Sequence, residues 1–134
     1  MSLTERLLAA MNARDADAFA GLVAPDYRSE QPAHPSRIFR GRDQVRTNWV
    51  SVFAGVPDFS AALLTVAVAG DVEVGEWRWD GTHTDGQQFA MRGVTVFGVA
   101  DGLIQWGRLY MEPLDRTDEG DITDMVQQTY RPPA

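Results

Sequence analysis

The chain has 134 residues, a mass of 14.8 kDa and a net charge of −7 with a pI near 4.6. This length fits one domain, and the negative charge repels a phosphate backbone, so nucleic acid is not an expected partner. The sequence contains no cysteine, and all 12 of its basic residues are arginines. Disulfides, thiolate catalysis, Schiff-base chemistry and a Walker-type phosphate loop are therefore excluded.

No segment approaches the roughly 18 apolar residues that cross a membrane, and the N-terminal residues lack the pattern of a secretory signal, a basic region followed by an apolar run. We therefore expect a cytoplasmic protein with no membrane partner. The two histidines, His34 and His83, lie far apart in the sequence, and neither has a neighbour at metal-ligand spacing. Neither a metal nor a cofactor is expected.

The first half of the sequence predicts helices. Leucine and methionine recur at helical spacing over residues 4–12, behind Ser2 or Thr4 as a cap. A shorter second helix is expected to begin at Asp15 or Asp17, end before residue 25 and pack against the first as a hairpin. The proline-rich segment 25–40 is expected to form an extended strand and a loop, and Gly41 opens a third helix that ends near Gly55.

The second half of the sequence predicts strands. From residue 59 the apolar period changes to two, which predicts strands near 59–69, 72–80, 88–99 and 103–112. Gly70-Asp71 and Asp101-Gly102 are typical hairpin turns. Helices followed by an antiparallel meander indicate an α+β class. We predict a single domain over 1–134, with a core at 4–112, an acidic linker at 113–120 and a short C-terminal helix at 121–130.

Several short motifs occur in a characteristic order: Pro25-Asp-Tyr27, Arg40-Gly-Arg42, Pro57-Asp58, Gly81-Thr-His83 and the last Asp-Gly turn. In this order and spacing, over about residues 4–112, the chain resembles the SnoaL-like polyketide cyclases. These belong to the nuclear transport factor two-like superfamily, which includes ketosteroid isomerase and limonene epoxide hydrolase. The resemblance implies a cone-shaped, cystatin-like fold in which a curved antiparallel sheet wraps around N-terminal helices and encloses an apolar cavity.

The resemblance also shows which catalytic positions have changed. The acid of the last strand falls at Leu109, the cyclase histidine at Thr95 and the isomerase base at Gln31, so none of the known proton-transfer sets is intact. With an ungapped hairpin, the arginine and aspartate of the epoxide hydrolase fall at Glu76 and Arg78, in reversed order. Because Leu109 cannot transfer a proton, we expect Glu76 and Arg78, the catalytic candidates, to orient a ligand.

The candidate ligand-binding residues follow from the same assignment. If Thr95 and Leu109 face the cavity, a period of two places Glu76, Arg78 and Met91 beside them; the alternative is that Glu76 and Arg78 form a solvated pair at the sheet edge. Gln31 is expected to bond a ligand carbonyl from the cavity floor, and His34 is a candidate lid residue. The ligand-binding set is Tyr27, Gln31, His34, Trp49, Met91, Thr95 and Leu109.

Three functions are compatible with these residues. The first is a cofactor-free isomerase, cyclase or hydratase that acts on an apolar, carbonyl-bearing substrate such as a polyketide. The second is a non-catalytic protein that binds a small apolar molecule, because the family's acids are replaced. The third is an interaction module that works through its aromatic sheet face. In each case we expect a homodimer through the outer sheet face, which is expected to carry Trp77, Trp79, Val94, Val96, Trp106 and Tyr110.

Overall fold

The structure is a computed structural model, and it describes residues 1–116 and 120–134. The described residues confirm the predicted α+β class, with N-terminal helices and one open sheet. A short 3₁₀ turn covers Pro35–Arg37. The helices and strands are α1 (Leu3–Asn12), α2 (Ala16–Ala20), β1 (Val23–Glu30), β2 (Phe39–Arg40), α3 (Arg42–Gly55), β3 (Ser60–Ala69), β4 (Val72–Thr82), β5 (Gln88–Ala100), β6 (Leu103–Pro113) and α4 (Ile122–Tyr130).

The helix starts follow from capping side chains. Ser2 Oγ accepts a hydrogen bond from the Glu5 amide at 3.0 Å, and Glu5 Oε1 accepts one from the Ser2 amide at 3.0 Å. This reciprocal capping box satisfies two backbone donors at the start of α1. Asp15 caps α2 through the amide of Ala18, so of the two predicted caps it is Asp15 that starts this helix.

Within the described residues, six strands form one sheet in the order β2-β1-β6-β5-β4-β3. The four long strands form the predicted antiparallel meander, and the β5–β6 turn has positive φ at both Asp101 (54°) and Gly102 (73°), as a tight hairpin turn requires. β1 pairs in parallel with β6, which the sequence analysis did not predict. This pairing brings the end of β1 beside the middle of the last strand and so closes one side of the cone.

The face of β4 differs from the prediction. Trp77 and Trp79 point inward and are 1% and 5% exposed, whereas Glu76 and Arg78 lie on the outer, exposed face. The pairing with β5 fixes this arrangement, because Gly75 lies opposite the inward-facing Thr95 and directly opposed residues share a face.

The physical reason is the free energy that the opposite orientation of β4, with Glu76 and Arg78 inward, would cost. Each buried tryptophan removes about 200 Å² from water, worth about 5 kcal/mol at 25 cal/mol per Å². Burying a carboxylate and a guanidinium instead costs several kcal/mol per ion. The expected inward orientation of Glu76 and Arg78 is therefore wrong, and so is the assignment of Trp77 and Trp79 to the outer face.

A buried glutamate fixes α1 to the sheet. Glu73 on β4 is 5% exposed, and it accepts hydrogen bonds from the amides of Leu3 (3.2 Å) and Thr4 (2.8 Å) and from Thr4 Oγ1 (2.6 Å). The carboxylate thus meets backbone donors in the first turn of the helix, where the helix dipole also favours negative charge. This contact places α1 across the inner face of the sheet.

The C-terminal part of the chain packs little against the rest. Asp121 caps α4, as predicted, through the amide of Asp124, and all residues of α4 are exposed. Of the predicted linker 113–120, residue 113 ends β6, and residues 117–119 lie outside the described residues. Among the helices described, none is long and apolar enough to cross a membrane. The cytoplasmic location and the single-domain division stay predictions.

Candidate ligand-binding site

A cavity of about 200 Å³ lies between helices α1–α3 and the inner face of the sheet. The first helices supply one wall, and β1 and the central strands supply the other. Most of its lining is aliphatic or aromatic, and the deepest residues are fully buried. The apolar lining comprises Leu7, Met11, Phe19, Val23, Phe39, Val45, Trp49, Val52, Phe97, Ile104 and Leu109.

The remaining lining residues are polar but uncharged. No Asp, Glu, His or Arg lines the cavity within residues 1–116 and 120–134. An ionised ligand would therefore be buried there without a counter-charge, which costs several kcal/mol. The polar lining residues are Tyr27, Ser29, Gln31, Asn48, Trp79 and Thr95.

Tyr27 is the titratable residue of this lining. Its ring is 5% exposed; burial raises the pKa of its phenol from 10.0 to about 12, and a hydrogen bond with the Ser29 side chain partly offsets the shift. The hydroxyl lies against β6 at Gly107, where an added Cβ would fall 2.4 Å from the phenolic oxygen. At neutral pH Tyr27 is therefore a neutral hydrogen-bonding group and cannot serve as a base.

Thr95 is held by an internal hydrogen bond. Trp77 Nε1 donates to Thr95 Oγ1 at 2.8 Å, and both side chains are fully buried. Because the hydroxyl oxygen accepts this bond, the Thr95 hydroxyl proton remains available to the cavity. No hydrogen bond donated by this hydroxyl is found among the described residues.

Trp79 carries an indole N–H that has no hydrogen-bond partner within residues 1–116 and 120–134. Trp79 Nε1 is the one buried side-chain nitrogen or oxygen, among the described residues, that makes no hydrogen bond. The ring is fixed by edge-to-face contacts with Trp49, at 5.5 Å between centroids, and by Phe59 at 6.0 Å. An unpartnered buried donor is rare in folded proteins and costs about 1 to 3 kcal/mol.

Two side-chain amides lie on the partly exposed side of the cavity. Arg37 donates to Gln31 Oε1 at 3.0 Å, and because a guanidinium has only donors, this contact leaves the Gln31 NH₂ group free to donate. Asn48 Oδ1 accepts a hydrogen bond from Gln44 Nε2 at 2.7 Å. The Asn48 NH₂ group is therefore also able to donate a hydrogen bond. Gln31 thus lies at the rim and not at the predicted floor.

Five predicted ligand-binding residues do line the cavity: Tyr27, Gln31, Trp49, Thr95 and Leu109. Their role in binding stays a prediction. Sequence reasoning missed Ser29, Asn48 and Trp79. The available signal for Trp79 was the Trp-Arg-Trp triplet of β4, since two tryptophans two residues apart share a face that must be buried.

The other four candidates lie outside the cavity. Glu76 Oε1 accepts a hydrogen bond from Thr65 Oγ1 at 2.9 Å on the outer face, and Arg78 is exposed beside it. His34 Nε2 lies 2.7 Å from Glu112 Oε1 near the end of β6, and His34 is not among the lining residues. Met91 is on the inner face but packs against the core beyond the cavity. The prediction that Glu76, Arg78 and Met91 face the cavity lining is wrong, and the role of His34 as a lid residue stays a prediction.

The fold and the cavity together define a class: a small α+β cone that encloses an apolar, uncharged chamber with a few hydrogen-bond donors. A family model described as the SnoaL-like domain matches residues 4–106. The chain therefore belongs to the SnoaL-like family, as the sequence motifs predicted. A search of curated protein sequences returned no match.

Solved structures share the fold. A protein with a ketosteroid isomerase-like fold from Catenulispora acidiphila, in complex with trimethylamine, has a TM-score of 0.72 at 17% identity, covering 96% of this chain and 92% of that chain. IdmH from Streptomyces antibioticus, a proposed polyketide cyclase, has a TM-score of 0.71 at 23% identity, with coverages of 82% and 89%. A Mycobacterium tuberculosis protein in complex with estradiol-17beta-hemisuccinate has a TM-score of 0.69 at 18% identity, with coverages of 81% and 89%.

Proposed function

We propose that this protein binds a small, neutral, largely apolar molecule in the cavity and does not itself transfer a proton. The observation that carries this proposal is the chemistry of the lining. A general base must have a pKa near the working pH, and the titratable group of the described lining, Tyr27, has a pKa of about 12. The two charged residues expected to act there, Glu76 and Arg78, lie on the other side of the sheet.

The ligands of two relatives support a binding role in the family. The Mycobacterium tuberculosis structure contains estradiol-17beta-hemisuccinate and the Catenulispora acidiphila structure contains trimethylamine. Cavities lined mainly by apolar groups with a few polar ones are the usual form of small-molecule sites. A cavity of this kind, held between helices and a curved sheet, favours the same role for the present chain.

A cavity-filling variant tests this proposal. The probe is 1-indanone, a small, neutral, largely apolar ketone of the kind proposed. We expect Leu109→Trp to lower the affinity for 1-indanone by at least about tenfold, because the larger side chain occupies space that the ligand needs. Leu64→Trp is the matched control, since Leu64 lies on the exposed edge strand β3, outside the cavity. Isothermal titration calorimetry gives both affinities. Equal affinities in the two variants would contradict binding in the cavity.

An enzymatic role is the second candidate, and the observation that favours it is the neutral Tyr27 phenol in an apolar site. Such a donor can stabilise a carbonyl oxygen as it gains negative charge while a water molecule takes the proton from the neighbouring carbon. Hydrogen-deuterium exchange at the carbon next to the carbonyl of 1-indanone distinguishes the two roles. Binding without faster exchange than in buffer supports the binding role, and exchange that is lost in Tyr27→Phe supports the enzyme.

We also propose that a second copy of the chain covers the outer face of β5 and β6. Without Trp77 and Trp79 this face is less aromatic than predicted, but it retains Val94, Val96, Trp106 and Tyr110, and Tyr110 is 43% exposed. Charges of both signs flank these residues: Glu76, Arg78, Arg92, Arg108 and Glu112. A two-fold axis can therefore bring opposite charges together.

The assembly is tested by sedimentation equilibrium. The wild type is expected to be a dimer at micromolar concentration, and Tyr110→Arg to be a monomer, because a guanidinium would be buried at the centre of the interface. Tyr130→Arg is the control, since Tyr130 is 72% exposed on α4. A monomeric wild type would rule out this interface.

A further inference from the structure

Trp49 forms the bulkiest part of the cavity wall that α3 supplies. This helix contributes Val45, Asn48, Trp49 and Val52 to the lining, and the indole is the largest of these four side chains. Trp49 is half-buried, whereas Trp79, on the sheet wall of the cavity, is 5% exposed. The indole of Trp49 therefore lies nearer to solvent, and its size affects how far a ligand can extend within the chamber.

Neighbouring rings hold this indole in place. Phe19 stacks on Trp49 with 4.4 Å between ring centroids. Three more rings pack against Trp49 at 5.5 to 5.6 Å between centroids: Phe53, Phe59 and Trp79. A ring packed on several sides changes its rotamer only if its neighbours move too. Trp49 is therefore a rigid part of the wall that does not move aside for a larger ligand.

The volume of the chamber then sets a size limit for the ligand. A dry apolar cavity of about 150 Å³ holds benzene, so the present volume of about 200 Å³ suits one or two small fused rings. A rigid molecule of three fused rings needs more space than this. Part of such a molecule would stay in water, and that part would contribute no burial free energy to its affinity.

We infer that Trp49 determines the size of the ligand, and that it restricts the chamber to neutral molecules of one or two small rings. This inference rests on the proposed binding function and adds to it a size class and a specificity-determining residue. Replacement of Trp49 by alanine removes the indole and frees on the order of 100 Å³. The enlarged chamber would reach about 300 Å³, the lower end of the range for drug-sized ligands, and would accommodate a third ring.

The test compares 1-indanone, which has two fused rings, with 9-fluorenone, which has three. Both are neutral, largely apolar ketones, so they differ mainly in size. Equilibrium dialysis gives the affinities of both compounds for the wild type, Trp49→Ala and Phe53→Ala. Phe53→Ala is the control, because Phe53 lies on the same helix and contacts Trp49 but is not among the lining residues. The quantity compared is the affinity ratio of 9-fluorenone to 1-indanone in each protein.

We expect this ratio to be at most about one tenth in the wild type, to rise at least about tenfold in Trp49→Ala, and to stay within about twofold of wild type in Phe53→Ala. A wild type that binds both ketones equally tightly overturns the size limit. An unchanged ratio in a folded Trp49→Ala, or an equal rise in both variants, overturns the role of Trp49. Each of these results leaves the proposed function intact, whereas failure of both ketones to bind the wild type overturns the proposed function itself.

A conservative variant keeps the inference testable if Trp49→Ala does not fold. Trp49→Phe retains an aromatic ring for the contacts with Phe19 and Phe59 and removes only part of the indole. The same affinity ratio is expected to rise at least about threefold, less than in Trp49→Ala because less space is freed. Circular dichroism shows whether the variant is folded. A wild-type ratio in folded Trp49→Phe would overturn the role of Trp49 as well.

Discussion

Replacement of Glu73 by alanine is expected to lower the free energy of unfolding by about 3 kcal/mol. Glu73 accepts three hydrogen bonds from Leu3 and Thr4 at the start of α1, and bonds to a charged group contribute about 1.5 to 3 kcal/mol each before the cost of burying the charge. Its loss leaves buried donors unpaired and loosens α1 from the sheet. Urea unfolding followed by circular dichroism measures the change.

Glu76→Ala is the matched control for this change. Glu76 lies three residues further along the same strand, on the exposed face, and bonds to Thr65. Its replacement is expected to change the free energy of unfolding by less than about 0.5 kcal/mol, as is usual for surface positions. Similar losses in both variants would contradict the assigned role of Glu73 and the orientation of β4.

The second large effect is a loss of stability at alkaline pH. Burial raises the pKa of Tyr27 from 10.0 to about 12 in the folded state. Between these values the unfolded chain releases the phenolic proton and the folded chain keeps it, so stability falls as pH rises. The contribution of Tyr27 is fully present below pH 10 and is lost as the pH approaches 12. A shift of two pKa units corresponds to about 2.7 kcal/mol.

Chemical unfolding between pH 9 and pH 12 measures this effect. Wild type is expected to lose about 2 to 3 kcal/mol more than Tyr27→Phe over that range. Tyr110→Phe should follow the wild type, since Tyr110 is 43% exposed on the outer face of the sheet. Parallel pH profiles for wild type and Tyr27→Phe would show that the phenol is not buried as described.

Much of the fold was predictable from local patterns. The capping residues Ser2, Asp15 and Asp121 each begin a helix, and the Asp101-Gly102 turn adopts the backbone that its residues favour. Local signals of this kind act over a few residues and can be identified in a sequence. The parallel pairing of β1 with β6 joins segments about eighty residues apart, and no local pattern specifies it.

The site was less predictable, because it depends on the phase of a strand. A shift of one residue reverses which side chains of β4 face inward, and the ungapped transfer from a distant relative chose the wrong phase. The sequence also contained evidence for the other phase. Burial of Trp77 and Trp79 stabilises the fold, whereas burial of Glu76 and Arg78 costs free energy. The role of Glu73 was not predictable, since it depends on where α1 crosses the sheet.

The central claim is that a neutral molecule enters the chamber beside Trp79, and the four indole N–H resonances of the ¹⁵N-labelled protein test it directly. Titration with 1-indanone is expected to shift the Trp79 indole signal in a saturating manner, while the signal of Trp106, on the outer face, stays in place. The single-site variant Trp79→Phe assigns the resonance. Saturable binding that leaves the Trp79 signal unmoved, or that shifts Trp106 instead, would contradict the account.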